Sequence, residues 1–160
     1  MTIHSDQPIG NDTQIPTAAL WLGLTGLIPF IAGTLLVFMG GAGIVAVPQA
    51  ELFLTAYGAV ILSFLGGVRW GLALADPNHA AQARDQAFSV VPSLIGWLAL
   101  LLPFSSGIGV LAVAFLIQGA WDIKTMRSGG GPQWYGTLRT ILTAIVGTLL
   151  IAVFARELFA

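Results

Sequence analysis

Five stretches of this chain are long and apolar enough to cross a lipid bilayer as helices, and that repetition limits the possible fold more than any other feature. A crossing takes about 17 to 25 apolar residues for about 30 Å of hydrocarbon. Thr17 to Met39, Leu52 to Ala75, Gln86 to Phe104, Gly107 to Ile123 and Thr137 to Ala155 all qualify. The connectors carry turn chemistry: Gly40, Gly41, Gly43 and Pro48, then Asp76-Pro77-Asn78, then Ser105-Ser106-Gly107, then Gly129-Gly130-Gly131-Pro132. The third connector is so short that the helices it joins must form an antiparallel hairpin. The expected fold is all-α, a polytopic bundle of five transmembrane helices over residues 17–160, preceded by a flexible tail over 1–16. Composition agrees, because 8% charged residues is far below the roughly 25% of a soluble domain.

The same composition removes whole classes of function. A net charge of -1 offers no basic field for nucleic acid. With no cysteine in the chain, disulfides, thiolate catalysis and cysteine-held metals are excluded. The first sixteen residues lack Lys and Arg, which fits neither a secretory signal nor a mitochondrial presequence. The connectors are too short to build a domain of their own, so the chain is expected to act within or beside the bilayer.

Lys and Arg in the connectors set the expected orientation. Arg84, Lys124, Arg127 and Arg139 fall on the side of the N-terminus, and Arg156 falls on the other. The positive-inside rule then places the N-terminus in the cytoplasm and the C-terminus in the periplasm. Trp21, Trp70, Trp121, Trp134 and Tyr135 cluster near the same interface, where amphipathic rings prefer to lie.

One residue breaks the apolar run of the second span. Arg69 sits six residues before Ala75, so about 9 Å inside the helix end. It can snorkel to water, but its side chain leans back toward the membrane centre, and a bare charge at mid-bilayer costs about 2.5–3.5 kcal/mol on insertion scales. A polar partner is therefore expected. In QGAWD, residues 118–122, Gln118 and Asp122 share a helix face at about the depth of Arg69. The expected cluster is Arg69 held by Asp122 and Gln118, with Arg139, or Lys124 and water, competing for Asp122. Trp70 and Trp121 would flank it, and whether they occlude it fully or it lines a cavity large enough for a ligand separates a structural role from a carrier.

Ser63, Gly67 and Gly71 follow the small-xxx-small spacing that lets helix backbones approach, and with Gly66 they form the expected packing surface. That stripe points away from Arg69, which shares its face with Gly58, Leu62 and Leu65. The second helix thus has two packed faces and should be the centre of the bundle. Pro29, Pro92 and Pro103 interrupt the first and third spans and read as kinks, which membrane helices tolerate.

Signals of chemistry are sparse. His4 and His79 have no metal-ligand spacing, so no metal and no cofactor is expected. The glycine runs at 40–43 and 129–131 lack the Lys-Ser or Lys-Thr of a phosphate loop. Hydrolysis by paired carboxylates needs two acids in one cavity, and Asp122 stands alone near the core. No catalytic residue is assigned, and the chain is expected not to be an enzyme. A membrane enzyme would need Asp76, His79 and Asp85 to converge on one mouth.

At these residues the sequence resembles a known family. YGAVILSFLGGVRWG at 57–71, GLIPF at 26–30 and QGAWD at 118–122 are similar to the small membrane proteins of the transmembrane protein 69 family, domain of unknown function 3429. The resemblance runs roughly from Thr17 to Ala155, and Gly66, Gly67, Arg69, Trp70, Trp121 and Asp122 match its motif positions. It implies a multi-span protein of bacterial inner membranes or mitochondria without an established activity, and the missing arginine-rich leader favours the bacterial setting. The leading expectation is a structural, assembly or accessory factor in the bacterial inner membrane. Its partners would be the bilayer and, through helix contacts, other membrane proteins or a second copy. The alternative is a small-molecule or lipid carrier with a cytoplasm-facing polar cavity around Arg69 and Asp122.

Overall fold

A computed structural model describes residues 14–74, 79–128 and 132–159, with 79–81 as backbone, and the described residues are helical without strands. The tail over 1–13, Asp76 and the glycine run at 129–131 lie outside the described residues, as does the His79 side chain. The helices in chain order are α1 (Thr17–Thr25), α2 (Ile28–Phe38), α3 (Val47–Leu74), α4 (His79–Ser89), α5 (Val91–Leu101), α6 (Phe104–Arg127) and α7 (Gln133–Phe159).

The first span is α1 and α2 joined through a bend. Pro29 has no N–H for the carbonyl four residues earlier, and its ring crowds that carbonyl, so the helix breaks between Thr25 and Ile28. Near the bend the Tyr57 hydroxyl of α3 donates to the Gly26 carbonyl at 2.9 Å. Tyr57→Phe is expected to lower stability by about 1 kcal/mol, the usual net worth of such a bond. Thermal unfolding in detergent would check it, and an unchanged midpoint would mean that the bend holds itself.

A 3-10 turn over Gly40–Gly43 then reverses the chain. Gly40, Gly41 and Gly43 have φ of 59°, 81° and 71°, values that cost a residue without a Cβ nothing. Ala42 follows them at 56°.

α3 runs through the middle, touching α2, α4, α5, α6 and the turn. Its buried face carries Gly58, Leu62, Leu65, Gly66, Arg69 and Ala73. A core of Phe30, Leu54, Leu62, Ile108, Leu111 and Leu150 fills the space between the helices. The most extensive pairing is α6 with α7.

The third crossing departs from the expected Gln86 to Phe104 helix. Pro92 sits in the first turn of α5, and the chain breaks at Val90, leaving an α5 of 11 residues, about 16 Å at 1.5 Å per residue. Four segments are individually long and apolar enough to cross: Thr17–Phe38, Val47–Leu74, Phe104–Arg127 and Gln133–Phe159. The geometry still requires a return between α3 and α6, because Arg69 near the end of α3 meets Asp122 and Thr125 near the end of α6. α6 therefore begins at the opposite side from the end of α3, and α4 with α5 must cover that distance. The hairpin turn also lies earlier than expected. Leu102 is extended and Pro103 caps α6, so Ser105, Ser106 and Gly107 belong to the first turn of α6, where Gly107 packs on the Ala99 carbonyl of α5.

Candidate functional site

Asp122, Gln118, Trp121 and Thr125 come from the last turns of α6, Arg69 from the last turns of α3, and Arg139 from the second turn of α7. The three helices meet there, and their polar side chains close on Asp122. Arg139 donates Nε to Asp122 Oδ2 at 2.9 Å, and Gln118 donates Nε2 to Oδ1 at 3.1 Å. Arg69 Nη1 stands 3.5 Å from Oδ1, long for a charge-assisted bond, which favours about 2.7–2.9 Å. Its short bond goes to the Thr125 hydroxyl at 2.9 Å. That hydroxyl donates onward to the Trp121 carbonyl at 3.0 Å, so Thr125 accepts from Arg69 and passes the chain of bonds to the backbone. The Trp121 ring lies against the guanidinium of Arg69, 3.9 Å from its centroid to Cζ, within the range of a cation–π contact.

Exposure of Arg69, Gln118, Asp122 and Arg139 is 7%, 3%, 2% and 6%. Charges this buried persist when paired and hydrogen-bonded. The strongest pair is Arg139 with Asp122 by distance; Arg69 adds a weaker Coulombic contact and relies on Thr125 and Trp121. Arg69 and its expected competitor Arg139 thus engage Asp122 at once, and Lys124 is not among the ion-pair partners of Asp122 in the described residues.

The other expected site residues fall as follows. Gly66 is buried, and a Cβ there would stand 2.5 Å from the Ser89 carbonyl oxygen. Gly67 and Gly71 are exposed with nothing within 4 Å of a Cβ, and Ser63 is half-buried. The stripe with small-xxx-small spacing therefore makes no tight contact at Gly67 or Gly71 among the described residues, and the close approach lies on the Arg69 side of the helix. Trp70 is also turned outward, so among the two expected tryptophans Trp121 alone covers the arginine.

Sequence reasoning did not single out Thr125, although it lies three residues after Asp122 and hence on the same face. Gly119 is a second omission: on the neighbouring face of α6, it packs directly against the Thr143 side chain of α7. That contact lets α6 and α7 approach closely enough for Arg139 to reach Asp122.

Two clefts border the cluster. At the end of the bundle a cleft of 530 Å³ is lined by Arg69, Arg84, Asp85, Phe88, Trp121, Lys124, Thr125 and Ser128. Asp85 is paired there with Arg84 at 3.2 Å. On the flank, a cleft of 130 Å³ has Arg139 and Thr143 in an otherwise apolar wall.

Helices of membrane-crossing length, tied at one end by an ion cluster buried among three of them, define a multi-pass helix-bundle membrane protein. Residues 15–155 match the family described as a protein of unknown function, DUF3429, and the chain belongs to that family. It is 40% identical over 146 residues to transmembrane protein 69 of Xenopus tropicalis, covering 84% of this chain and 54% of that protein. Transmembrane protein 69 of Mus musculus is 30% identical over 131 residues, covering 81% and 52%. A WAT1-related protein of Arabidopsis thaliana is 29% identical over 142 residues, covering 84% and 37%. The chain spans about half the length of the transmembrane protein 69 relatives it matches. No solved structure matches it.

Proposed function

We propose that this protein is an accessory or assembly factor that acts through its outer helix surfaces, with the Arg69, Gln118, Asp122, Arg139 cluster locking the bundle and performing no catalytic step. The observation that carries this reading is that the cluster's side chains are buried and bonded to one another across three helices. All four side chains are at most 7% exposed, and together they pin α3, α6 and α7. What remains for interaction is the apolar exterior, where association rests on packing and on interhelical hydrogen bonds. The setting we favour is a bacterial inner membrane. The end bearing Arg84, Lys124 and Arg127 would face the cytoplasm, as the positive-inside rule directs.

One observation favours a second reading, a carrier for a small anion or lipid. Arg69, Arg84 and Lys124 line the 530 Å³ cleft with one acid, Asp85, among the described residues, and pockets that bind small molecules run from about 300 to 1,000 Å³.

Purification of the tagged protein from its native membrane in a mild detergent, followed by native mass analysis and proteomics, separates the two. A reproducible stoichiometric complex is expected. A lone chain or homo-oligomer retaining a metabolite would instead support the carrier.

A further inference from the structure

The buried cluster does not balance. Two guanidiniums, Arg69 and Arg139, surround one carboxylate, Asp122, leaving one positive charge in excess among the described residues. Arg69 has an outlet: it lines the wide cleft at the end of the bundle, where water can solvate it. Arg139 is not among the residues lining that cleft, its side chain is 7% exposed, and its Nη2 has no hydrogen-bond partner among the described residues. Asp122 can balance only one of the two, so the spare charge belongs to the cluster as a whole, and Arg139 is the member that carries it to the flank of the bundle with one nitrogen unbonded.

Arg139 forms the charged part of the wall of the 130 Å³ flank cleft. One water needs about 10–15 Å³ on the same measure, so the cleft has room for a ligand's polar head group. The rest of its wall is hydrocarbon, from Phe30, Ile61, Leu65, Phe115 and Leu142, with Gly23 and Gly26 leaving room beside α1. Leu22 and Phe64 at its margin are 74% and 64% exposed, so in a membrane the cleft opens sideways toward the acyl chains. A site with one spare positive charge, one free guanidinium nitrogen and an apolar channel leading to lipid selects a ligand with one negative charge on a hydrocarbon chain.

We infer that this flank cleft binds a free fatty acid, its carboxylate on the Arg139 guanidinium and its chain along Ile61, Phe64 and Leu65 toward the bilayer. A carboxylate is the anion that fits. It is planar, which suits pairing with the guanidinium, it carries the single charge that the cluster lacks, and it is small enough for the cleft. A phosphodiester flanked by glycerol and a headgroup is too bulky for 130 Å³. The proposal is independent of the accessory-factor reading, since a bundle with or without protein partners could hold the ligand.

The test uses the full chain in a mild detergent, with binding followed by native mass analysis and by the thermal unfolding midpoint. Probes are oleate, oleyl alcohol, acetate and dioleoyl phosphatidylglycerol. Oleate is expected to bind with one-to-one stoichiometry and raise the midpoint, while oleyl alcohol and acetate leave it unchanged. Arg139→Gln removes the charge but also strips a partner from Asp122. Ile61→Trp, which narrows the cleft without touching the ion cluster, is therefore the second variant. Arg139→Gln should weaken oleate roughly tenfold to a hundredfold, the range for losing one charge-assisted hydrogen bond, and Ile61→Trp should keep the unliganded midpoint while weakening oleate by blocking its chain. Equal shifts with oleyl alcohol, oleate binding undiminished in Ile61→Trp, or binding of phosphatidylglycerol in preference to oleate would each overturn the assignment.

Discussion

Replacing Asp122 with alanine is expected to destabilise the bundle by about 3–5 kcal/mol, the cost of breaking a buried ion pair from one side. The upper part of that range applies, because the carboxylate is the shared partner of two guanidiniums and of Gln118. Its loss leaves Arg69 and Arg139 facing each other in a low-dielectric interior. Thermal unfolding in detergent, or the fraction of folded protein recovered from membranes, would read the effect. A midpoint within a degree or two of wild type would show that water enters the cluster freely and that the helices are held by packing alone.

The converse experiment separates architecture from activity. Replacing the whole cluster with apolar residues of similar size, Arg69→Met, Gln118→Leu, Asp122→Leu and Arg139→Met together, removes the charges along with their need for partners. Such replacements are often neutral or stabilising by about 1–4 kcal/mol, so the fourfold variant should unfold at or above the wild-type midpoint. If it is stable yet fails to support the biological role, the charges do more than hold helices together.

Two neighbouring glycines on α3 should respond in opposite directions. A methyl at Gly66 would meet the Ser89 carbonyl oxygen at 2.5 Å, and a main-chain oxygen cannot swing aside. Gly66→Ala is therefore expected to cost about 1–3 kcal/mol, the range for overpacking, and to push α3 away from the α4–α5 junction. At Gly67 a methyl meets nothing within 4 Å. Gly67→Ala should be neutral or stabilising by up to about 1 kcal/mol, the difference in helix propensity. Measured side by side in the same detergent, equal effects would mean that the α3 contact face has been assigned wrongly.

This contrast also shows where the sequence stops being informative. That Arg69 needs a partner follows from the cost of a bare charge, and Gln118 and Asp122 could be nominated because residues four apart share a face and residue counting gives depth. Both steps are local physics. Which face of α3 packs is not local. Ser63, Gly67 and Gly71 satisfy a spacing rule equally well inside or outside the bundle, and only the positions of α4, α5 and α6 decide between them. The same holds for Trp70 and Trp121, alike in composition and depth, of which one covers a guanidinium and the other faces outward. Arg139 was one of several competitors for Asp122 because pairwise reasoning chooses one partner, whereas a carboxylate has two oxygens and can serve both arginines. The break at Val90 was hidden for a different reason: Pro92 announces an irregularity, but a proline in a membrane helix is compatible with both a mild kink and a complete interruption.

The ion cluster joins parts of the chain that are made at different times. Arg69 lies 53 residues ahead of Asp122, and Asp122 lies 17 ahead of Arg139. At about 5–20 residues per second during synthesis, Arg69 waits on the order of 3–10 seconds for its counter-charge after it has been made. Over that interval α3 has a charge near one end and nothing to neutralise it, so the arginine's long stem must keep its head at the membrane surface. The arrival of α6 draws it inward to Asp122, Thr125 and Trp121, and α7 then adds Arg139 to the same carboxylate, which makes completion of this end of the bundle a late event.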